Sequence, residues 1–394
     1  MTSISTLEAH GIPVTAHGKP LETTTVVYNV DQLRSLLDLG LNAEGREAHY
    51  QALFGGVSTL DEVGASLTQR VSAHVIGNGQ VSQEDNAAVA TAFPLTVHVA
   101  ASAQPLTVTG RYDLSTPDGS PKIVSFTDVI LEQGGYFVCE ATPLMFTCDT
   151  LTRKGNAGTG GADFNILGKT GTTPGTPGPA PNYSSQAGAG YNGECSSAGI
   201  AGHGGGTGTN GGPGNPGTPG GNGGPGVPSM QATITITTTL VNPISIFTQS
   251  GPGGKGGNGG QGGAGQQGGN GGNGVTCDCT GNAGGQGGEG GPGGKGGRAG
   301  NGGNGTDAAA NIQVWVPSAG DVPRVIYTSS PAAPGKAGDP GHGGAGGAGG
   351  TGGSGGKNNS GGGSGGSRNP GPMGDAGDDG AVPGVAASVT VSPR

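Results

Sequence analysis

Cys277-Asp278-Cys279 is the short stretch whose residue types and spacing could most readily do chemistry. Its thiols could bridge to Cys195, bridge to each other, stay free or hold a soft metal, although two thiolates fall short of the four ligands of a structural zinc site. Cys139 and Cys148 sit on successive expected strands and either pair or fill core. The total of five cysteines is odd and small for a disulfide scaffold. Asp113, Asp128, Glu132 and Glu140 lie in a β-rich stretch, where carboxylates on adjacent strands could form the acid and base of a glycosidase. The same residues equally suit a solvated strand face. The seven histidines, His10, His17, His49, His74, His98, His203 and His342, show no H-E-x-x-H and no i, i+4 pairing, and read as solvated or packed side chains. The GGSGG stretches at 352–356 and 362–366 satisfy G-x-S-x-G, and G-x-G-x-x-G recurs, but both motifs need a strand before and a helix after the turn. Neither element is expected there. No catalytic residue, cofactor or metal is therefore assigned, and the expected role is non-enzymatic.

The elements that must position these residues are set by glycine, at 93 of 394 residues, with aromatic residues at 4% and charged residues at 11%. That is roughly three times the glycine share of an average chain, about 7%. One oily core cannot serve the whole length. The net charge of -9 and the scattered Lys and Arg provide no basic stripe, which argues against a nucleic-acid partner. No apolar run reaches the 18 or more residues of a spanning helix. The opening MTSISTLEAHGIPVTAHGKP lacks the basic and apolar regions of a secretory signal, so either the mature chain is shown, or export takes another route, or the protein stays in a cell or virion; the expected location is extracellular or surface- or virion-associated.

Glycine is also in register. Between 253 and 274 the other residues are Lys255, Asn258, Gln261, Ala264, Gln266, Gln267, Asn270 and Asn273, all but Gln266 on one phase of a three-residue repeat. The block 284–305 repeats this with Gln286, Glu289, Pro292, Lys295, Arg298, Asn301 and Asn304, broken at Ala299. Blocks at 335–356, resuming at 371–380, and at 199–226 keep the phase. A flexible linker has no use for a phase. Three residues per turn is the repeat of the polyproline II helix, which has no internal hydrogen bonds, so every amide must find a partner outside its own helix. Bare glycine faces let a neighbouring backbone approach and supply that partner. The Gly-Gly-X blocks are expected inside a bundle, and the Gly-X-X blocks at 199–226 and 371–380 at its edges. Collagen demands the same spacing but fills it with Pro-rich pairs on three chains, whereas here VTCDCT (275–280) and KNNSGG (357–362) turn one chain back on itself.

On these residues the chain resembles the polyglycine II bundle proteins, including the snow flea antifreeze protein and the glycine-rich tips of phage tail-fibre adhesins. GGAGGAGGTGGSGG (343–356) is also similar to the glycine-rich repeats of mycobacterial surface proteins. The resemblance implies architecture over roughly half the chain and names no ligand.

Strands are expected where β-branched residues alternate: 232–249, 311–316, 324–328 and 388–391, and more densely over 122–153. The expected fold is mainly β. A β-solenoid, preferred for its tolerance of long insertions at rung corners, or a sandwich forms a base from which glycine-rich hairpins project as a packed polyglycine II bundle. Residues 28–92 are expected to be helical, with Asp31 capping one helix that stops at Gly40 and Ser58 capping another through Leu60, Val63, Leu67 and Val71. The domain reading is a 1–27 arm, a 28–92 helical region, a 93–154 β-rich domain and a 155–394 bundle interleaved with strands.

Residues Cys277, Asp278, Cys279, Lys357, Asn358 and Asn359 fall at hairpin tips. The expectation is a structural or adhesive surface or fibre protein whose slab displays these tips, assembling with itself or with a cell-surface or polymer ligand. An ice-binding protein and a β-solenoid carbohydrate-active enzyme with an accessory glycine-rich domain are the alternatives. Ice binding would call for flat rows of small groups, of which Ala345, Ala348, Thr351 and Ser354 are the suitable stretch.

Overall fold

The computed structural model describes residues 21–36, 44, 46, 47, 67–76, 79–158, 161–197 and 199–394. It is mainly β with few helices. The chain forms β1 (Leu21–Val27), α1 (Val30–Leu36), α2 (Leu67–Ile76) and α3 (Gln83–Val89). Then follow β2 (Leu95–Ser102), β3 (Leu106–Val108), β4 (Arg111–Asp113), β5 (Lys122–Leu131), β6 (Tyr136–Glu140), β7 (Leu144–Arg153) and β8 (Phe164–Leu167). The remaining strands are β9 (Ala232–Val241), β10 (Ile244–Gln249), β11 (Ile312–Val316), β12 (Val325–Ser330) and β13 (Val389–Pro393).

These strands make two sheets. One has the order β1-β2-β5-β7-β9-β11-β13 with β3 also on β5, and the other the order β12-β10-β8-β6-β4. Every pairing is parallel except β1 on β2. In-register stacking places like residues in rows. Val124, Phe146, Ile234, Val314 and Val391 align across the first sheet, and Phe137, Phe164, Ile246 and Tyr327 across the second. Phe146 and Phe164 meet between the sheets with ring centroids 5.2 Å apart. Burying these rows is worth about 1.5–3 kcal/mol per fully buried large apolar side chain. A buried ion pair enters the interior: Arg153 Nε lies 2.8 Å from Asp163, both almost fully buried, and the other carboxylate oxygen of Asp163 accepts from the amide and hydroxyl of Ser245.

The helices differ from expectation at their start. Asn29, not Asp31, caps α1, because its Oδ1 accepts from the Gln32 amide at 2.8 Å, the third helical position, while Asp31 sits within the first turn. Leu67 and Val71 lie on α2, whereas Ser58, Leu60, Val63 and Gly40 lie outside the described residues. Leu21–Val27, within the stretch read as an arm, contributes the antiparallel β1.

Long glycine-rich excursions leave the second sheet and return to the first. Segments 1 (168–193) and 2 (202–227) link β8 to β9, segments 3 (251–274) and 4 (283–305) link β10 to β11, and segments 5 (333–356) and 6 (359–384) link β12 to β13. β8 and the proline-bearing segment 1 carried no strand or glycine-phase signal of their own.

Their amides pair by two rules. Along one glycine row, each amide donates to the segment about 80 residues ahead, running parallel: Gly256, Gly259 and Gly262 to Lys336, Asp339 and His342, and Gly208, Gly211 and Gly214 to Gln286, Glu289 and Pro292. Along the other row, amides donate to the preceding antiparallel segment: Gly257, Gly260 and Gly263 to Gly221, Thr218 and Asn215, and Gly294, Gly297 and Gly300 to Gly263, Gly260 and Gly257. Odd segments therefore join odd and even join even, with cross-links between the two sets.

Close approach explains the glycines. A Cβ at Gly259 would sit 2.0 Å from the Gly297 carbonyl oxygen, and one at Gly300 1.9 Å from that of Gly221, where no side-chain atom fits. Beside Ala299 the bonding pattern has a gap. Gly374 and Gly380 donate to Gly341 and Gly335, but Gly377 between them, packed on Ala299 and Gly300, has no such bond among the described residues.

The third residue of each triplet faces outward, and there asparagine replaces the backbone as acceptor. The side-chain oxygens of Asn258, Asn270 and Asn273 accept the amides of Asp339, Thr351 and Ser354. Asn210, Asn222 and Asn301 do the same for Glu289, Asn301 and Asp378.

Gly300→Ala is expected to lower stability by about 1–3 kcal/mol through overpacking. Gln261→Ala, on the exposed row, should stay within about 0.5 kcal/mol. Thermal and urea melts of both variants check this, and equal stabilities would contradict the close backbone contact.

Candidate functional site: the distal turns

The turns that close the three excursions meet at one end. Thr276 and Gly281 form an antiparallel bridge, as do Cys195 and Ala201, so the first two turns are tight reversals. A disulfide between Cys195 and Cys277, with Cα atoms 5.8 Å apart, joins the first turn to the second. Ala201 donates to Thr280 Oγ1 at 3.0 Å. Asn282 reinforces the same joint: its Oδ1 accepts from Val275, and its Nδ2 donates to the carbonyls of Glu194 and His203. The third turn is bound by the Lys357 amide, which donates to Thr276 Oγ1 at 3.0 Å, and by Asn359 Nδ2, which donates to the Gly281 carbonyl at 2.7 Å. Asn358 takes φ 61°, a left-handed conformation that asparagine tolerates, and this reverses the chain.

The tip residues are thus brought together, with Cys277 buried and Asp278, Cys279, Lys357, Asn358 and Asn359 exposed. Asp278 lies against Gly199, whose φ of 70° also needs glycine. The load-sharing residues Asn282, Thr276 and Thr280 were not singled out in the sequence. Their signal is the recurrence of polar side chains about 80 residues from the backbone groups they satisfy.

Cys139 and Cys148 do not pair; they are on different sheets and both point into the core. Burial pushes the Cys139 thiol up to about 12 and raises that of Cys148 as well. Such thiols are inert at neutral pH, because the thiolate is the reactive form. Among the described residues no cluster of His, Cys, Asp or Glu could hold a metal ion.

The carboxylates weighed for hydrolysis are engaged individually. Arg111 lies between Asp113, at 3.0 Å, and Glu140, at 3.7 Å. Burial raises the pKa of Asp113, but hydrogen bonds from Ser115 and Arg111 more than offset this and hold it below the ordinary carboxylate value. Glu132 pairs with Lys154 at 3.0 Å, and Asp128 sits half-buried on β5 opposite Thr150. His74 contacts Asp31, His98 contacts Asp118 and His203 contacts Glu194, while His342 is exposed; His10, His17 and His49 lie outside the described residues. Ser354, within one G-x-S-x-G match, has its amide and hydroxyl on Asn273, with no strand directly before the match and no helix directly after it. A cavity of about 160 Å³ between α1, α2 and the first sheet is lined mainly by Leu33, Val71, Val75, Ile123 and Met145, with no convergent polar set.

No family model matches the chain, and no curated protein matches it. Among solved structures, a springtail antifreeze protein from Granisotoma rainieri, described as a nine polyproline type II helical bundle, is similar at 22% identity. The match covers 55% of this chain and 95% of that one, with a TM-score of 0.09, so the two folds do not superpose and the likeness carries no argument. No helix among the described residues is long and apolar enough to cross a membrane.

A thiol-specific reagent is expected to label only Cys279 in the native protein, with Cys139 and Cys148 reacting after denaturation without reductant. Mass mapping of the labelled peptides checks this, and native labelling of Cys277 would break the assignment of the disulfide.

The outermost segment is held by ion pairs: Lys295 with Asp375 at 2.8 Å and Lys336 with Asp379 at 2.8 Å. Hydrogen bonds from Lys295 and from Lys336 hold Asp375 and Asp379, respectively, below the usual carboxylate value. A depressed carboxylate contributes stability above its unfolded pKa, about 3.9, and that contribution is lost as pH falls through the lower folded value. Amide exchange over 371–384 should therefore accelerate below about pH 4, relative to 284–303, by more than the intrinsic pH effect. Parallel behaviour of the two segments would contradict it.

Proposed function

We propose that this is a non-catalytic structural or adhesive surface or fibre protein. In this reading the base is a β-solenoid, the glycine-rich segments form a polyglycine II bundle, and the bundle is a rigid slab that carries the distal turns to a cell-surface or polymer ligand. Each segment would reach ~70 Å at the polyproline II rise of ~3.1 Å per residue.

The observation that carries the reading is the convergence of three turns, far apart in sequence, on one disulfide-linked edge with exposed Asp278, Cys279, Lys357 and Asn358. Loops held on rigid scaffolds are where recognition is concentrated. Threefold amide pairing supports the bundle, and inserted hairpins at successive corners of parallel strands support the solenoid.

Ice binding draws on one row, Ala345, Ala348, Thr351 and Ser354, but on the neighbouring odd segment the outward row holds Lys255, Gln261, Gln267 and Asn270. Long polar side chains there spoil a flat lattice match. A thermal hysteresis assay separates the readings.

Binding of the full chain to cell surfaces and to immobilised polysaccharides is expected to fall at least tenfold in the triple variant Asp278→Ala, Lys357→Ala, Asn358→Gly. The melt and the slow amide exchange of 251–305 should be unchanged. Wild-type binding by that variant would remove the display role, and exchange over 251–305 as fast as in an unstructured peptide would remove the slab.

A further inference from the structure

The two sheets do not end together. At the C-terminal end of the stack, β13 adds a strand to the first sheet beyond β11, but among the described residues nothing follows β12 in the second. Among the described residues the last pair of strands is therefore complete in one sheet only. The inward row Phe137, Phe164, Ile246 ends in Tyr327, which is 52% exposed although its predecessors are buried, and Ile326 beside it is 59% exposed.

An open edge is a template for pairing, and proteins usually blunt it with charge, proline or covering chain. The opposite end of this stack is blunted. β4 is only three residues long and carries the ion-paired Arg111 and Asp113, and β1 covers β2. VIYTSS of β12 contains no charge and no proline. Immediately beyond it the edge closes: Pro331, Pro334 and Pro340 lack amides, and the Ala337 amide is taken by Asp379. The open stretch is therefore one strand long.

We propose that β12 accepts a single extended strand from another polypeptide, which pairs parallel to it and completes the second sheet's half of the final rung. The chemistry of that strand follows from the interface the chain already makes with itself through β4, β6, β8, β10 and β12, all parallel. Above Val325 and Tyr327 it places large apolar residues two apart, and above Ser329 a small or hydroxyl residue. Ile244, Ile246 and Thr248 hold those positions one rung below. Main-chain bonds supply affinity in such strand addition, and alternate side chains supply specificity. A second copy docking through its own β12 is disfavoured, because the overhanging β13 strands of the two copies would meet. This site rests on β12 alone and does not depend on the display reading.

The test uses the full chain and a capped peptide of the β10 sequence, NPISIFTQS. Saturable binding is expected, with amide exchange over 325–330 slowed at least tenfold and unchanged over 95–102. A peptide with both isoleucines replaced by Asp should not protect, and Tyr327→Glu, at an exposed site, should weaken binding at least tenfold while the far-UV spectrum is retained. Absence of protection, equal protection by the Asp peptide, or protection that appears with protein concentration alone and a doubled mass would each overturn the proposal. If Tyr327→Glu unfolds, the Asp-peptide control still decides.

Discussion

Everything in this molecule depends on where the backbone amides of the glycine segments go. The backbone bonds of these segments run to neighbouring segments, and a buried amide without a partner costs about as much as a lost hydrogen bond. Along the two bonded rows the glycine amides are committed to a neighbouring segment, and that neighbour comes close enough for a methyl group to be excluded. Glycine's large ordering cost, on the order of 1–2 kcal/mol per residue, is offset only when whole rows of such bonds form together.

That constraint explains why strands and glycine segments alternate along the chain. A lone glycine excursion has no partner. Stacked parallel strands fix successive excursions about 80 residues apart and side by side, as the offsets of the amide pairs show. The apolar rows through Phe146 and Phe164 hold the stack, and the stack sets the register in which Gly256 can meet Lys336. Hydrophobic burial and backbone pairing thus act on different parts of the chain, and each makes the other possible.

The outward residues are part of the same economy of amides. Some of their N-H groups donate to asparagine side-chain oxygens on the segment about 80 residues earlier. Reactive candidates are either consumed in structure, as Cys195, Cys277 and the Arg111-bound carboxylates are, or buried as inert thiols. Exposed polar residues are brought together at the distal turns, and exposed apolar ones include Ile326 and Tyr327 on the outer edge of β12.

Much of this was legible in the residues themselves. Period-two alternation marked β9 through β13, and the three-residue phase of glycine at 253–274 and 284–305 marked segments that pair laterally, because both patterns are local. Even the break at Ala299 was visible. The four-residue β8 was too short to show a period, and the prolines of segment 1 obscured its phase. The choice of Cys195 over Cys279 as the partner of Cys277, the asparagine acceptors one rung away and the half-empty last rung could not be read in the same way. Each depends on which residues about 80 positions apart become neighbours, and that is decided only when the sheets stack and bring the excursions into register.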